Sequence, residues 1–207
     1  MGAAPQVRIA RLRPGLTGPV RWWRRAALHP VTVMGSLPSN GPPRLGLKAV
    51  TIRFAIQDLA QTLPLALLDR RPFTPSRLPI HPEHHYRAQL FLLPLFGWAE
   101  WLLMGGAGYA VLRLSGERAD ISRVLDVIGL GMLIPMPPLW LADGALIAAD
   151  RFDLPELGFV NVPVQLWETT LFAIGLHTAL DVPWRRAVPA GLAVSAVYVL
   201  GASRYVR

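Results

Sequence analysis

"QLFLLPLFGWAEWLLMGGAGYAVL", residues 89–112, decides how the rest of the chain is read. These 24 residues carry one formal charge, at Glu100. About 20 apolar residues cross a hydrocarbon core of about 30 Å, so the stretch predicts a membrane span. Tyr86 and Arg113 flank it where interfacial anchors belong, whereas Trp98 and Trp101 lie too far inside for that role.

The composition points the same way. Of 207 residues, 52% are hydrophobic and 16% charged, against about a quarter charged in an ordinary soluble domain. There is no cysteine, which excludes disulfides and thiolate metal sites. The net charge of +8 is uneven, with 13 of the 21 basic residues lying before Gln89 and Lys48 the one lysine. Arginine in place of lysine, with abundant Ala, Gly and Pro, is the composition of a GC-rich bacterial genome. A basic arm beside apolar segments suits anionic lipid on the cytoplasmic side of the membrane. No nucleic-acid module is present, and "RWWRR" is the one place where aromatics interleave with arginines.

Downstream, a polar loop leads to a second apolar segment, 124–149, interrupted by Pro135, Pro137 and Pro138. Proline leaves carbonyls unbonded, and in lipid these need partners from neighbouring helices, so this span is expected to be broken and packed inside a bundle. Segments 164–180 and 187–202 follow, short for spans and joined by the turn "DVPWRR" as a helical hairpin. Upstream, Ile52, Ile56, Leu59 and Leu63 recur at helical spacing, with Arg53, Gln57 and Gln61 on another face. Residues 47–63 therefore read as an amphipathic helix lying on the membrane surface or packed on the protein's own core, ended by Pro64.

The expected architecture is an all-α polytopic membrane bundle of four transmembrane helices. A basic Pro/Gly/Arg-rich flexible region, 1–46, and an amphipathic and interfacial region, 47–88, precede a transmembrane domain, 89–207. Met34 is a second candidate start, from which the first segment would be absent. The charge bias predicts a cytoplasmic N-terminus, and four spans return the C-terminus to the same side.

The last three apolar segments resemble the Yip-one domain family of multi-span membrane proteins. The likeness rests on the Val124-Leu125 start, Gly129, mid-membrane Pro135, Trp167 before Gly175-Leu176, and the polar turn leading to Ala187. With the first span it covers about residues 89–202. It implies an all-helical membrane domain with a non-enzymatic organising or scaffold role; eukaryotic relatives are linked to Rab-type GTPases and trafficking. The family's usual first span is here replaced by the amphipathic 47–63 stretch. The implied setting is a bacterial cytoplasmic membrane, with lipids, other membrane subunits or further copies of the chain as partners and no cofactor.

Among candidate sites, the ionisable residues deepest in the apolar segments are Glu100, Asp143 and His177. A charge at mid-bilayer costs about 2.5–3.5 kcal/mol on insertion scales, so such groups face partners or water. They either line an ion or proton path, as in a small transporter or channel component, or act as polar glue between helices. Asp126 and Glu168 lie nearer the span ends and are expected to reach the interface. His81, Glu83, His84 and His85 are suitable metal ligands by type, but Pro82 and their spacing do not make the shared helix face of a zinc-protease motif. Headgroup-level histidines are the simpler reading. No nucleophile elbow or phosphate-binding glycine loop is present.

Overall fold

The computed structural model describes residues 17–37, 42–72, 80–151 and 154–205. Among these the protein is all-α, with no strand. The helices are α1 (Thr17–Leu28), α2 (Pro30–Gly35), α3 (Arg44–Gln57), α4 (Leu63–Leu67), α5 (His85–Leu114), α6 (Ile121–Leu133), α7 (Met136–Ala148), α8 (Leu154–Leu180) and α9 (Trp184–Tyr205). Seven of them have at least 12 residues. The core joins α3, α5, α6, α8 and α9 through Val50, Met104, Val127, Phe172 and Val194, among others.

The expected amphipathic helix is longer than 47–63. It begins at Arg44 and passes Pro64 instead of ending there. Proline has no N–H and its ring crowds the carbonyl four residues back. A π-helical turn over Asp58–Thr62 absorbs this, with the Leu63 N–H bonded to the Asp58 carbonyl. The result is one 24-residue rod from Arg44 to Leu67, about 36 Å long at 1.5 Å per residue.

Polar contacts show that this rod runs the length of the bundle. Near its start, Gly46 N–H donates to Asp126 of α6 at 2.6 Å. Beyond its end, Asp69 pairs with Arg87 of α5 at 2.7 Å, and Arg70 pairs with Asp150 after α7. The rod is therefore antiparallel to α5. Its first turn lacks a side-chain cap of its own because Pro43 occupies the N-cap; the Asp126 carboxylate, 80 residues on, supplies one. The approach is close enough that a β-carbon on Gly46 would strike the Leu125–Asp126 backbone, and one on Gly129 would strike Gly46.

The proline break falls where the prolines predict it, between α6 and α7 at Ile134–Pro135. Pro138 has no N–H to return to the Ile134 carbonyl. The Trp23 indole of α1 donates to that carbonyl instead, at 2.7 Å. So the expected flexible region 1–46 is, over 17–37, two helices packed on the bundle, with Ala26 and Met34 in the core; residues 1–16 lie outside the described residues.

Helices α8 and α9 form an antiparallel hairpin turned at Asp181–Pro183. Both exceed the expected 164–180 and 187–202, because α8 runs through Pro163 and α9 starts three residues before Ala187. Two stretches, Pro82–Leu114 and Ile121–Ala148, are long and apolar enough to cross a membrane by length and composition. Among the described residues the third and fourth expected spans do not reach that measure. Glu168, Gln165, Thr169 and Thr170 dilute the third.

Candidate functional site

One face of α3 is buried through Gly46, Ala49, Val50, Arg53 and Phe54, the i, i+3, i+4, i+7, i+8 spacing of a packed stripe. Small residues at the start of the stripe let α3 approach α6, and this brings Arg53 into the interior, where it is 2% exposed. Arg53 Nη1 donates to Glu168 Oε1 of α8 at 3.0 Å, and Nη2 donates to the Tyr198 hydroxyl of α9 at 3.1 Å. The guanidinium carbon lies 5.4 Å from the Tyr198 ring centre and 5.3 Å from that of Phe54. Glu168 is 1% exposed.

Glu100 of α5 completes the group. Its Oε1 lies 3.0 Å from where a β-carbon on Gly201 would stand, so its carboxyl reaches from α5 toward α9. It interacts electrostatically with Arg53 and Glu168. One turn along, Thr169 Oγ1 and Ser195 Oγ are hydrogen-bonded at 2.7 Å, extending the polar contact between α8 and α9.

The structure separates the three expected intramembrane residues. Glu100 joins the Arg53 cluster. Asp143 is buried on α7, which packs against the π-helical turn, and its Oδ1 has no hydrogen-bond partner. His177 sits at the end of α8, where Nδ1 lies 2.7 Å from the Val182 carbonyl and the ring stacks on Trp184 at 4.3 Å. That is a local turn-closing role. Asp126 and Glu168 were expected to reach an interface; both are buried, Asp126 capping α3 and Glu168 holding Arg53.

The histidine segment does not converge. His81 Nδ1 lies 3.9 Å from Glu83 Oε2, and Glu83 is held by Arg71 at 2.9 Å. His81 and His84 ring centres are 6.1 Å apart, and His85 is buried at the start of α5 against Tyr86. No group of three or more His, Cys, Asp or Glu suited to a metal forms among the described residues.

Sequence reasoning missed Arg53 and Tyr198. The signal for Arg53 was present: Gly46, Ala49 and Val50 share its helical face, while Ile52, Ile56 and Leu59 lie on another. A face of small residues with one charge packs inward. Comparison with family models, curated proteins and solved structures finds no match to this chain.

Proposed function

We propose that the chain is an integral membrane helical bundle with a non-enzymatic, membrane-organising role of the Yip-one type, seated in a bacterial cytoplasmic membrane among lipids and other membrane subunits or copies of itself. One observation carries this reading: large apolar side chains cover the outside of the bundle as well as filling its core. Its ion pair is in the core, while the 44–67 rod, α5, α7, α8 and α9 turn large apolar side chains outward. Phe91, Leu95, Trp98, Leu102 and Leu103 on α5, Ile52, Ile56 and Leu59 on the 44–67 rod, Leu141 on α7, Leu166 on α8, and Leu192 and Val199 on α9 are all exposed. Monomeric soluble proteins rarely expose large apolar patches. Exposed ion pairs gather at one end, where Asp69, Arg70, Arg71, Glu83, Arg87 and Asp150 meet, and the half-buried Arg186–Glu117 pair joins the 115–120 loop to the start of α9.

The reading adds a crossing to the four expected. The Arg44–Leu67 rod exceeds the hydrocarbon thickness, faces outward with apolar side chains and keeps Arg53, Asp58 and Thr62 inside. A crossing here also suits the charge distribution. The basic N-terminal region and the basic 113–123 and 185–186 segments then share a side, and the positive-inside rule makes it the cytoplasmic one. With five crossings the C-terminus faces away from the cytoplasm.

Single cysteines at Ser36, Glu83 and Ser115, labelled in sealed vesicles by an impermeant reagent, test this. Five crossings put Ser36 and Ser115 on one side and Glu83 on the other; four put Ser36 with Glu83. Release of the chain from membranes by alkaline carbonate would overturn the membrane reading altogether. A second reading, a small transporter or channel component, draws on Glu100 through the cluster it joins.

A further inference from the structure

The cluster on α3, α5, α8 and α9 is unbalanced in charge. Arg53 carries one positive charge that is not given up in proteins. Glu168 and Glu100 supply two carboxyls, and Tyr198, neutral, accepts a hydrogen bond from the guanidinium. These four are the charged and titratable groups that interact there, one from each of the four helices that meet at Arg53. Arg53 Nε is buried with no hydrogen-bond partner, so the guanidinium is not saturated by the contacts it makes.

An uncompensated buried charge is strongly unfavourable, and a carboxylate relieves it by taking a proton. Glu100 has a second reason to be neutral, which rests on the membrane reading. It lies mid-way along 89–112, 11 residues from one end and 12 from the other, about 17 Å from either boundary at 1.5 Å per residue. It is partly exposed on the bundle surface, where the neighbours are acyl chains and not water.

We propose that Arg53, Glu100, Glu168 and Tyr198 form a proton-binding site that holds one exchangeable proton shared between the two glutamates. Binding is the addition of a proton to one carboxylate, giving a neutral carboxylic acid, with the other carboxylate left as the counter-ion of Arg53. Such an intramembrane group is the minimal element of a proton-coupled carrier, so the site gives the second functional reading its ligand.

Charge counting makes the test sharp. Infrared difference spectroscopy of the purified full chain at neutral pH reads the C=O stretch of protonated carboxyls. Glu100→Gln leaves Arg53 with Glu168, and Glu168→Gln leaves it with Glu100. Either change alone is expected to remove one protonated carboxyl relative to wild type. Arg53→Met leaves two acids without a cation and is expected to add one. Loss in only one of the glutamine variants, or in neither, overturns the shared site, as does occupancy by a sodium ion, which would leave both carboxyls ionised. Should Arg53→Met fail to fold, the two glutamine variants still decide the matter. The spectra read the same whether or not carbonate releases the chain, so failure of this site and failure of the membrane reading are separate results.

Discussion

The Arg44–Leu67 rod and α5 lie antiparallel in the same bundle, and they reach its two ends by opposite chemistry. Helix α5 is apolar nearly all round, with Glu100 its one charge between Arg87 and Arg113. The rod is divided, with Leu45, Leu47, Ile52, Ile56, Leu59 and Leu67 outward and Gly46, Ala49, Arg53, Asp58 and Thr62 inward. Averaged along the chain, α5 looks like a span and the rod looks like a surface helix. Seen in section, both turn an apolar face outward. Mean hydropathy records how much apolar surface a helix owns, and only its packing shows which way that surface points.

The largest effect should come from breaking the rod's inner face. Glu168→Leu removes the carboxylate hydrogen-bonded to Arg53 and leaves Glu100 as its remaining counter-charge, so the about 3–5 kcal/mol typical of breaking a buried pair is the upper bound of the cost. Thermal unfolding in detergent should show a large fall, with much of it recovered in Arg53→Met/Glu168→Leu, since an apolar pair of similar volume replaces a buried ion pair at little cost. If single and double variants are equally unstable, the pair does not hold the rod in place.

Next come the outward faces, where the two helices should behave alike. Ile56→Arg on the rod and Leu102→Arg on α5 each place a charge on an exposed apolar stripe, and each should oppose membrane insertion by about 2.5–3.5 kcal/mol if it faces lipid at mid-depth. A glycosylation-based insertion assay reads both. A rod that tolerates arginine while α5 does not would show that the rod lies at the surface, and would break the comparison.

A smaller difference should separate their glycines. Gly46→Ala drives a methyl group into the α6 backbone, an overpacking of about 1–3 kcal/mol. Gly106→Ala on α5 meets open space, and relief of helical glycine's entropy should make it neutral or stabilising by about 0.5–1 kcal/mol. Unfolding midpoints compare the two directly.

The smallest effect is expected at His85, at the polar end of α5. Burial lowers the pKa of its imidazole below the ordinary 6.5, so the unfolded chain binds its proton first. Stability should fall as pH drops from about 6.5 toward the folded value and be flat above 6.5. A pH series of unfolding midpoints should show this slope reduced in His85→Gln.

Much of the architecture was legible because hydrophobic runs, prolines and turn residues act locally. The 89–112 segment, the break at Pro135 and the 181–183 turn each follow from a few neighbouring residues. The limits of the rod were hidden because a π-helical turn carried the helix past Pro64, a compensation that depends on hydrogen-bond geometry and leaves no compositional mark. The site was half legible. Glu100 stood out as a charge in an apolar run, but its partners come from three other helices. Arg53 read as solvated because its face is polar, and Glu168 read as interfacial because the expected segment began at 164, ten residues after the start of α8 at Leu154. Tyr198 had no sequence signal: one tyrosine in an apolar run is ordinary.

The Arg53–Glu168 contact spans 115 residues of chain, and that separation is also an interval of time. A ribosome adding about 5–20 residues per second needs roughly 6–23 s to make the counter-ion after the arginine has emerged. Through that interval the first crossing of the proposed topology carries a charge without its eventual partner, and its first turn waits for the Asp126 cap for most of it. On the membrane reading, the rod cannot settle in its final place when it is synthesised. It has to linger at the bilayer edge or beside a helper until α6 and then α8 arrive, so the first crossing in the sequence is among the last to be locked.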